Sequence, residues 1–287
     1  MYTPSTNVGS GGTPLRKRFV KHLIDGKLVL PLLPDTAARV ITLCGEEACD
    51  AQALADLIQR DVSMAGHVLR ISNSAAYAPN EPIVSLPQAV SRLGFSAICG
   101  IAIGVAAQGK MFQIKGFEDD LRKMWKHCAV AGAWAKEIAR LRRRNVEGAF
   151  MCGLLHDIGR PVVLQAVVDL SRKEGLEAPP EELESLMDEF HESIGARLLE
   201  EWGLPDWVAG GVRHHHQFDE AGEFKEEAAT ACLADLLAHW SDDEGDEQTE
   251  VIRNLPALSV LGLYADELEP LFERSEAVAE CAEAFQQ

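Results

Sequence analysis

Apolar residues recur along most of the chain at the three- and four-residue spacing of amphipathic helices. The spacing is regular in residues 50–59, 63–72 and 85–93, and Pro87 stands in the first turn of the third segment, where proline suits a helix. An almost wholly apolar segment follows at 96–107. No segment has the strict alternation of apolar and polar residues that marks a half-buried strand. The pattern therefore predicts an all-α protein.

Breaks in this pattern divide the chain into four parts. The first residues are rich in Gly, Ser and Thr and lack the apolar core of a signal peptide, so they predict a flexible tail. A polar stretch at Gln113–Asp120 predicts a boundary between two packed helical subdomains, and the acidic residues 241–250 predict a solvated loop. The predicted parts are a tail, an N-terminal helical half, a helical bundle and a C-terminal helical accessory with its acidic loop: residues 1–14, 15–118, 119–240 and 241–287.

Composition narrows the classes of partner. The chain carries a formal charge of -18, which repels polyphosphate backbones, so we expect no general nucleic-acid binding. Its most apolar stretch, Phe95–Ala107, is shorter than the roughly 20 residues that span a bilayer, so we expect no membrane segment. The seven cysteines are odd in number and lack CxxC spacing, which indicates reduced thiols and a cytoplasmic protein.

Histidine and aspartate residues form a pattern between positions 127 and 235. Imidazole and carboxylate groups suit Fe, Mn, Zn or Ni ions. The pair His156-Asp157 is the most specific feature, because its apolar neighbours would bury it, and a buried His-Asp pair needs a compensating partner or a metal. The pattern comprises six histidines and two aspartates: His127, His156, His191, His214, His215, His216, Asp157 and Asp235.

The neighbouring residues predict how these side chains are presented. Gly159 is expected to end the helix that carries the pair and to let chain or ligand approach closely. His191 is expected to open a helix, and the histidine run to end the helix that starts at Pro205. Asp235 lies in an otherwise apolar helix, where a lone carboxylate is costly unless it is paired or coordinated.

Each of these features also has a structural explanation. A single histidine on an apolar helix, such as His127, is more often a hydrogen-bonded core residue, and the histidine run suits a helix C-terminus. Asp235 could be a hydrogen-bonded core acid, and the whole set could form a buried polar network without metal. The order of the features taken together favours metal ligands. The histidines outside the pattern are interpreted as structural: His22, His67 and His239.

With its His-Asp pair, the chain resembles the HD superfamily, and most closely its HDOD branch, over about residues 28–240. The resemblance implies an HD-type helical bundle with a central His/Asp site, in a bacterial signal-transduction module. Within it, the Asn73-Ser74 pair alone would indicate a structural cap at the end of a helix. The motifs that carry the likeness are Leu30–Pro34, Asp61–Tyr77 with its Leu69–Ser74 stretch, Ala89–Gly94 and Trp202–Pro205.

Local similarity to the HD-GYP phosphodiesterases, over 156–160 and 191–219, implies individual roles. Asp157 and Arg160 would act in catalysis, with Arg160 standing where those enzymes carry a phosphate-contacting lysine; a cation at a helix C-terminus is the alternative. His216 takes a non-ligand position. The implied metal ligands are His127, His156, Asp157, His191, His214, His215 and Asp235.

Two departures count against hydrolysis of cyclic-di-GMP. The Gly-Tyr-Pro signature is absent, since residues 219–224 keep only its glycine. Lys123 stands one helical turn before His127, where some relatives place an additional acidic ligand.

We therefore expect an HDOD-type signalling protein with a metal-competent site and a protein partner. The alternative is a metal-dependent phosphohydrolase that acts on a nucleotide or phosphodiester. Either would use one or two divalent ions, with Fe or Mn favoured over Zn or Ni.

Overall fold

The structure is a computed structural model that describes residues 13–46, 49–74, 77, 79, 81–242 and 245–286. Every regular element in these ranges is helical, which confirms the predicted all-α class. The predicted flexible tail lies outside the described residues except for its end. There Thr13 accepts a hydrogen bond from the backbone N–H of Arg16 (3.2 Å) and so caps the first helix, which begins at Pro14.

Six helices form the N-terminal part: α1 Pro14–Ile24, α2 Asp35–Cys44, α3 Ala51–Ile58, α4 Val62–Ser72, α5 Leu86–Leu93 and α6 Phe95–Ala106. The apolar α6 is buried on nearly every side and packs against α2 and α4. Gly94 joins α5 to α6 with φ +80°, a conformation that favours glycine, and the chain bends there by 108°. A π turn, Ala107–Met111, ends this part of the fold.

Asn73 fixes the connection between α4 and α5. Its side-chain amide donates hydrogen bonds to the carbonyls of Leu69 and Ile83, both at 2.8 Å. Its carbonyl oxygen accepts the backbone N–H of Ile83 at 2.7 Å. The asparagine of the Asn73-Ser74 pair therefore has the capping role that the residues alone indicate.

Six further helices form the bundle that holds the candidate site: α7 Glu118–Leu141, α8 Val146–Leu155, α9 Gly159–Glu174, α10 Pro180–Glu201, α11 Asp206–Arg213 and α12 Lys225–Asp242. The long α7 packs against α8 and α12, α9 packs against α10, and α11 contacts both α10 and α12. Helices α7 and α8 approach so closely at Gly153 that a Cβ atom there would lie 2.6 Å from the carbonyl of Ala131.

The C-terminal part consists of α13 Asp246–Arg253, α14 Pro256–Leu261, α15 Ala265–Phe272 and α16 Ser275–Gln286. The acidic residues 241–250, predicted as a solvated loop, instead lie largely in helices, because α12 continues to Asp242 and α13 begins at Asp246. Trp240 anchors the start of α13 by donating its indole N–H to the Thr249 hydroxyl at 2.9 Å. Helix α16 packs back against α7 and α4.

One helical stretch in the described chain, Val146–Glu174, is long and apolar enough to cross a membrane by composition alone. Helices α5 and α6 are long and apolar enough only when they are counted together as one bent segment. Within Val146–Glu174, 78% of the apolar 18-residue segment is buried inside the protein. Such burial is typical of core helices, which here are α8 and α9.

Candidate metal centre

The predicted ligands reach one region from five elements of the bundle. His127 lies on α7 and Asp235 on α12, while His156 and Asp157 occupy the turn between α8 and α9. His191 lies on α10, and His215 follows the end of α11. Because α7, α8 and α12 pack together and α10 contacts both α9 and α11, side chains distant in sequence meet between the helices.

Gly159 fixes the distance between the turn and α10. It begins α9 rather than ending the preceding helix, because α8 already stops at Leu155. A Cβ atom at this position would lie 2.0 Å from the carbonyl oxygen of His191 and 2.7 Å from the backbone nitrogen of Gly195. The predicted close approach is therefore present, with α10 as the neighbour.

His191 lies inside a helix instead of opening one. Helix α10 begins at Pro180, and its buried face already includes Leu183 and Leu186 before the histidine. The ring of His191 is 1% exposed. The helix therefore places it in the protein interior and continues for more than one turn before and after it.

Three buried rings are oriented in the same way. The Nδ1–H of His156 donates to the carbonyl of Gly153 (2.8 Å), and that of His215 donates to the carbonyl of Val212 (2.8 Å). The Nδ1–H of His191 donates to the carbonyl of Met187 at 2.9 Å. These bonds turn all three Nε2 atoms towards the centre, in the manner of the carbonyl bonds that orient metal-binding imidazoles.

Two of these Nε2 atoms face each other. The Nε2 atoms of His191 and His215 are 3.3 Å apart. Burial lowers the pKa of both rings, and for His215 the neighbouring His156 lowers it further. Two neutral rings whose Nδ1 atoms carry the protons bring two lone pairs together, which is unfavourable unless a cation lies between them.

Asp157 supplies a charged oxygen to the same space. Its Oδ1 is 3.4 Å from the Nε2 of His191, and its Oδ2 is 3.7 Å from the Nε2 of His156. Burial alone would raise the pKa of Asp157, but the interactions with His156, His191 and Arg160 outweigh it and lower the pKa to about 2. The carboxylate is therefore ionised at neutral pH.

A second carboxylate faces the pair from α12. Asp235 accepts a hydrogen bond from the Nε2–H of His127 at 2.9 Å. Burial opposes the charge of Asp235, yet the bond from His127 and the nearby His156 hold the pKa of this carboxyl well below its usual range. The result is a half-enclosed space in which two anionic carboxylates lie among imidazole rings.

His156 lacks a partner at the centre of this arrangement. Its Nε2 is buried and has no hydrogen-bond partner among the described residues, and the nearest Asp235 oxygen is 3.6 Å away. Burial opposes charge on the ring, but the carboxylates of Asp157 and Asp235 outweigh it and raise its pKa to about 9. A divalent cation that displaced the Nε2 proton of His156 would satisfy the orphaned nitrogen and both carboxylates at once, so the residues present fit a metal ion.

Thiolate ligands are not part of this arrangement. Cys128 is buried beside the two aspartates, and burial together with their negative charge raises the pKa of its thiol well above the usual range. It therefore remains protonated at neutral pH and is a poor metal ligand.

Among the residues that the structure describes, three groups of side chains have donor atoms close enough to share an ion. They are His127 with His156 and Asp157, His127 with Asp235 and His239, and His191 with His215 and His216. None of these groups includes His214. The structure therefore brings together six of the seven predicted ligands: His127, His156, Asp157, His191, His215 and Asp235.

The position of His214 has a simple physical reason. Helix α11 ends at Arg213, and His214 adopts a non-helical backbone conformation with φ -126° and ψ 17°. Three successive residues at a helix end cannot all face one space, and here His215 is fully buried while His214 is partly exposed.

Two histidines that the sequence pattern places outside the ligand set contribute to these groups. The ring of His216 lies 4.1 Å from that of His215 between centroids, and the Nε2 of His239 lies 3.5 Å from Oδ1 of Asp235. The signal for His239 was its position four residues after Asp235, since residues four apart share one helix face. No comparable signal identifies His216 within a run of three histidines.

Glu192 is a further residue that the sequence analysis did not single out. Its carboxylate accepts the backbone N–H of His216 at 3.1 Å and lies 3.8 Å from the Nδ1 of His215. Burial raises its pKa. Its effect is to hold the turn that carries His215 against α10.

Arg160 stands at the edge of the centre. Its Nη1–H donates to Asp188 at 2.9 Å, its Nη2–H donates to Glu184, and its Nε lies 3.7 Å from Oδ2 of Asp157. It belongs to the first turn of α9, so the alternative of a cation at a helix C-terminus does not apply. Its guanidinium connects the Asp157 side of the centre to acidic residues on α10.

Comparisons with known proteins agree with this architecture. The chain is similar to a candidate metal-dependent phosphohydrolase from Shewanella amazonensis SB2B, with a TM-score of 0.72, 20% identity and coverage of 95% of this chain and 98% of the other. It is also similar to a candidate signal transduction protein from Marinobacter aquaeolei VT8, with a TM-score of 0.62 and 25% identity. This match covers 95% of the present chain and 65% of the other.

One relative is similar in sequence. An uncharacterized protein of Treponema pallidum (strain Nichols) is 26% identical over 226 residues, which span 75% of this chain and 43% of that protein. The chain thus spans less than half the length of this relative. The HDOD domain model matches residues 30–218, a range that contains helices α2 to α6, the His-Asp turn and the histidine run. The chain therefore belongs to the HDOD domain family.

Proposed function

We propose that the chain is a bacterial signal-transduction protein of HDOD type whose His/Asp centre binds a divalent metal ion. One observation carries the proposal: the Nε2 atoms of His156, His191 and His215 converge in a space shared with two carboxylates, and that of His156 has no hydrogen-bond partner in the described part of the chain. The likeness to the candidate signal transduction protein supports the signalling role. We place the protein in the cytoplasm, where its thiols remain reduced.

Metal occupancy offers a physical basis for signalling. The ligands come from five elements, so an ion that binds one arrangement of those elements better than another shifts the population of shapes. A protein partner that recognises one of these shapes then responds to the metal. The ion would be held by His156, Asp157, His191, His215 and Asp235, and a set that combines imidazoles with two carboxylates favours Fe or Mn over Zn or Ni.

The test of signalling compares partner binding with metal content. A partner captured from the native bacterium is purified, and its affinity is measured for metal-loaded protein, metal-depleted protein and the His215→Ala variant. We expect the loaded and depleted forms to differ in affinity, and the variant to behave like the depleted form whether or not metal is added. Equal affinity for all three would contradict the proposed coupling.

A second candidate function is hydrolysis of a phosphoester. The ionised Asp157 between two histidines, with the Arg160 guanidinium beside it, favours this alternative. A bound ion would supply Lewis acidity towards a phosphoryl oxygen. Within the chain, Asp157 would orient His191 and His156, and Arg160 would offer N–H donors to a phosphate oxygen in exchange for its acidic partners.

The hydrolase alternative has its own assay. Protein loaded with Mn or Fe is tested against a panel of nucleotides and phosphodiesters, with Asp157→Ala treated identically. Turnover by the wild type that the variant lacks would establish an enzyme. Equal rates for the two proteins would leave signalling as the function.

A further inference from the structure

A cavity of about 720 Å³ lies beside α7, on the N-terminal side of the His/Asp centre. Its volume is in the range of sites that hold a single small ligand. One wall is the first part of α7, and another is the π turn that ends α6. Short π-helical segments of this kind occur frequently at functional sites.

The cavity is basic in a strongly acidic protein. The chain has 27 Lys and Arg residues against 45 Asp and Glu, yet the cavity has a single acidic residue, Glu118, among its lining side chains. Its basic residues are Lys115, Arg122, Lys123 and Lys126. The described cavity beside α10 shows the opposite composition, since its charged lining residues are all acidic. Such a local reversal of charge concentrates anions.

The floor of the cavity is apolar. Phe112 and Trp125 line it with exposed fractions of 6% and 7%, and their ring centroids are 6.2 Å apart. Leu121 and Ile114 complete this surface. A ligand that suits both features has a charged phosphate group and an apolar or aromatic body.

The basic rim leads to the metal centre. Lys123 precedes His127 by four residues on α7, and side chains at this spacing lie on one helix face with Cβ atoms about 5–6 Å apart. The lysine thus lines the cavity one helical turn before His127, which bonds to Asp235 of the centre. The loop that carries Lys115 is held in place by the guanidinium of Arg172, which donates to the Lys115 carbonyl at 3.2 Å.

We infer that this cavity binds a phosphate ester of nucleotide size, with its phosphate on the basic rim next to His127 and its apolar body on the Phe112 and Trp125 floor. Nucleic acid is a poor occupant, because the overall charge of -18 repels a long polyphosphate backbone. The inference that a phosphate ester binds here rests only on the volume, the basic rim and the apolar floor of the cavity. The further step, that the ligand reports to or reacts at the metal centre, rests on the proposed function.

The probe for the test is adenosine diphosphate with a fluorescent N-methylanthraniloyl group, and the same nucleoside without phosphate is its matched control. Fluorescence anisotropy gives the affinity of the whole chain for each. The test variant is Lys115→Ala with Lys123→Ala. The control variant is Lys17→Ala with Lys21→Ala, which removes two exposed lysines from α1 and gives the same net charge.

We expect the test variant to bind the diphosphate at least about tenfold more weakly, because a charge-assisted phosphate contact is commonly worth that factor. The control variant should remain within about twofold of the wild type, and added salt should weaken wild-type binding. Both variants should bind the phosphate-free nucleoside equally. No binding by the wild type, or equal losses in both variants, would overturn the inference.

Hydrogen–deuterium exchange on the wild type tests the location without any substitution. Probe binding should protect backbone amides in residues 108–126, and protection confined to other parts of the chain would overturn the inference. Elemental analysis of the same samples separates the two proposals. Protein that lacks metal but binds the probe in this cavity refutes the metal centre alone, whereas protein that holds metal without binding the probe refutes the cavity alone.

Discussion

Neighbouring histidines at the end of α11 differ sharply in their surroundings. His215 is fully buried and its Nε2 faces that of His191, while His214 belongs to none of the groups that could share an ion. The two residues have the same chemistry and adjacent positions. They therefore form a matched pair for testing whether orientation, rather than the presence of a histidine run, determines metal binding.

His215→Ala should lower the metal content to a small fraction of the wild-type value, because it removes the buried donor whose Nε2 faces that of His191. His214→Ala should retain the metal. Plasma mass spectrometry of protein prepared without an affinity tag measures both. Retention by the first variant, or equal loss by both, would contradict the ligand assignment.

Lys136 is a buried cation away from the centre. Its side chain is 1% exposed, its Nζ has no hydrogen-bond partner among the described residues, and it lies 3.3 Å from the centroid of the Tyr77 ring. Burial lowers its pKa to about 8. Because the unfolded chain holds this proton more tightly, the charge destabilises the fold fully below pH 8 and progressively less as the pH rises towards the pKa of an exposed lysine, about 10.4.

Lys136→Met should therefore raise the free energy of unfolding at pH 7 by about 1–3 kcal/mol, after allowance for the lost contact with the aromatic ring. Its advantage over the wild type should shrink between pH 8 and pH 10, the range that follows from the pKa of about 8. Urea denaturation at several pH values measures the difference. If the difference in unfolding free energy between the variant and the wild type does not change with pH, the explanation is refuted.

At the scale of elements, the contact between α9 and α10 determines the position of two ligands. Gly159 brings the backbone of α9 against the backbone of His191, with no room for a side chain. The contact holds Asp157, just before α9, near the ring of His191 on α10. A change in this helix spacing should therefore affect both stability and metal binding.

Gly159→Ala should lower the free energy of unfolding by about 1–3 kcal/mol, as overpacking in a core commonly does, and should weaken metal binding. Gly66→Ala is the control, because Gly66 lies inside α4 and a Cβ atom there meets nothing within 4 Å. That change should be neutral or stabilising. Equal effects of the two substitutions on unfolding would contradict the packing argument.

Sequence periodicity predicts the helices well but not the path of the chain around the site. The segments predicted at 50–59, 63–72 and 85–93 are confirmed as α3, α4 and α5. The pattern could not reveal that α8 stops before His156 or that α10 starts well before His191. Those boundaries depend on packing between helices, and local preferences are weak where tertiary contacts compete with them.

The same limit explains which site residues were found. The chemistry of His156, Asp157 and Asp235 stands out because these polar groups adjoin or interrupt apolar sequence, whereas His191 stands out only as one of the histidines in the pattern. The choice among His214, His215 and His216 depends on the direction in which the chain leaves α11, which composition does not encode. The predicted domain limits and the similarity to HD-GYP phosphodiesterases over part of the chain remain predictions.

At the scale of the whole molecule, the C-terminal segment joins the core of the bundle. Phe285 on α16 is 4% exposed and lies 5.0 Å from the Phe150 ring on α8, between centroids. This segment follows the residues matched by the family, which end at 218. It therefore completes the hydrophobic core around α7 and α8 rather than lying on the surface as a separate unit.

Phe285→Ala should cost about 3–5 kcal/mol of unfolding free energy, the usual range for a buried aromatic side chain. Val251→Ala is the control, since Val251 is 54% exposed, and its cost should stay within about 0.5 kcal/mol. Thermal unfolding followed by circular dichroism measures both. A negligible effect of the first substitution would indicate that α16 does not contribute to the core.

The proposed metal centre, in which imidazoles and carboxylates from three helices and two turns hold a cation inside the bundle, underlies both candidate functions. Its most direct test is the metal content of untagged wild-type protein and of Asp157→Ala after both are loaded with Mn or Fe and dialysed against metal-free buffer. We expect at least about one ion for each wild-type chain and almost none for the variant, because Asp157 lies between His156 and His191. A wild-type chain that retains no metal, or a variant that retains as much as the wild type, would contradict it.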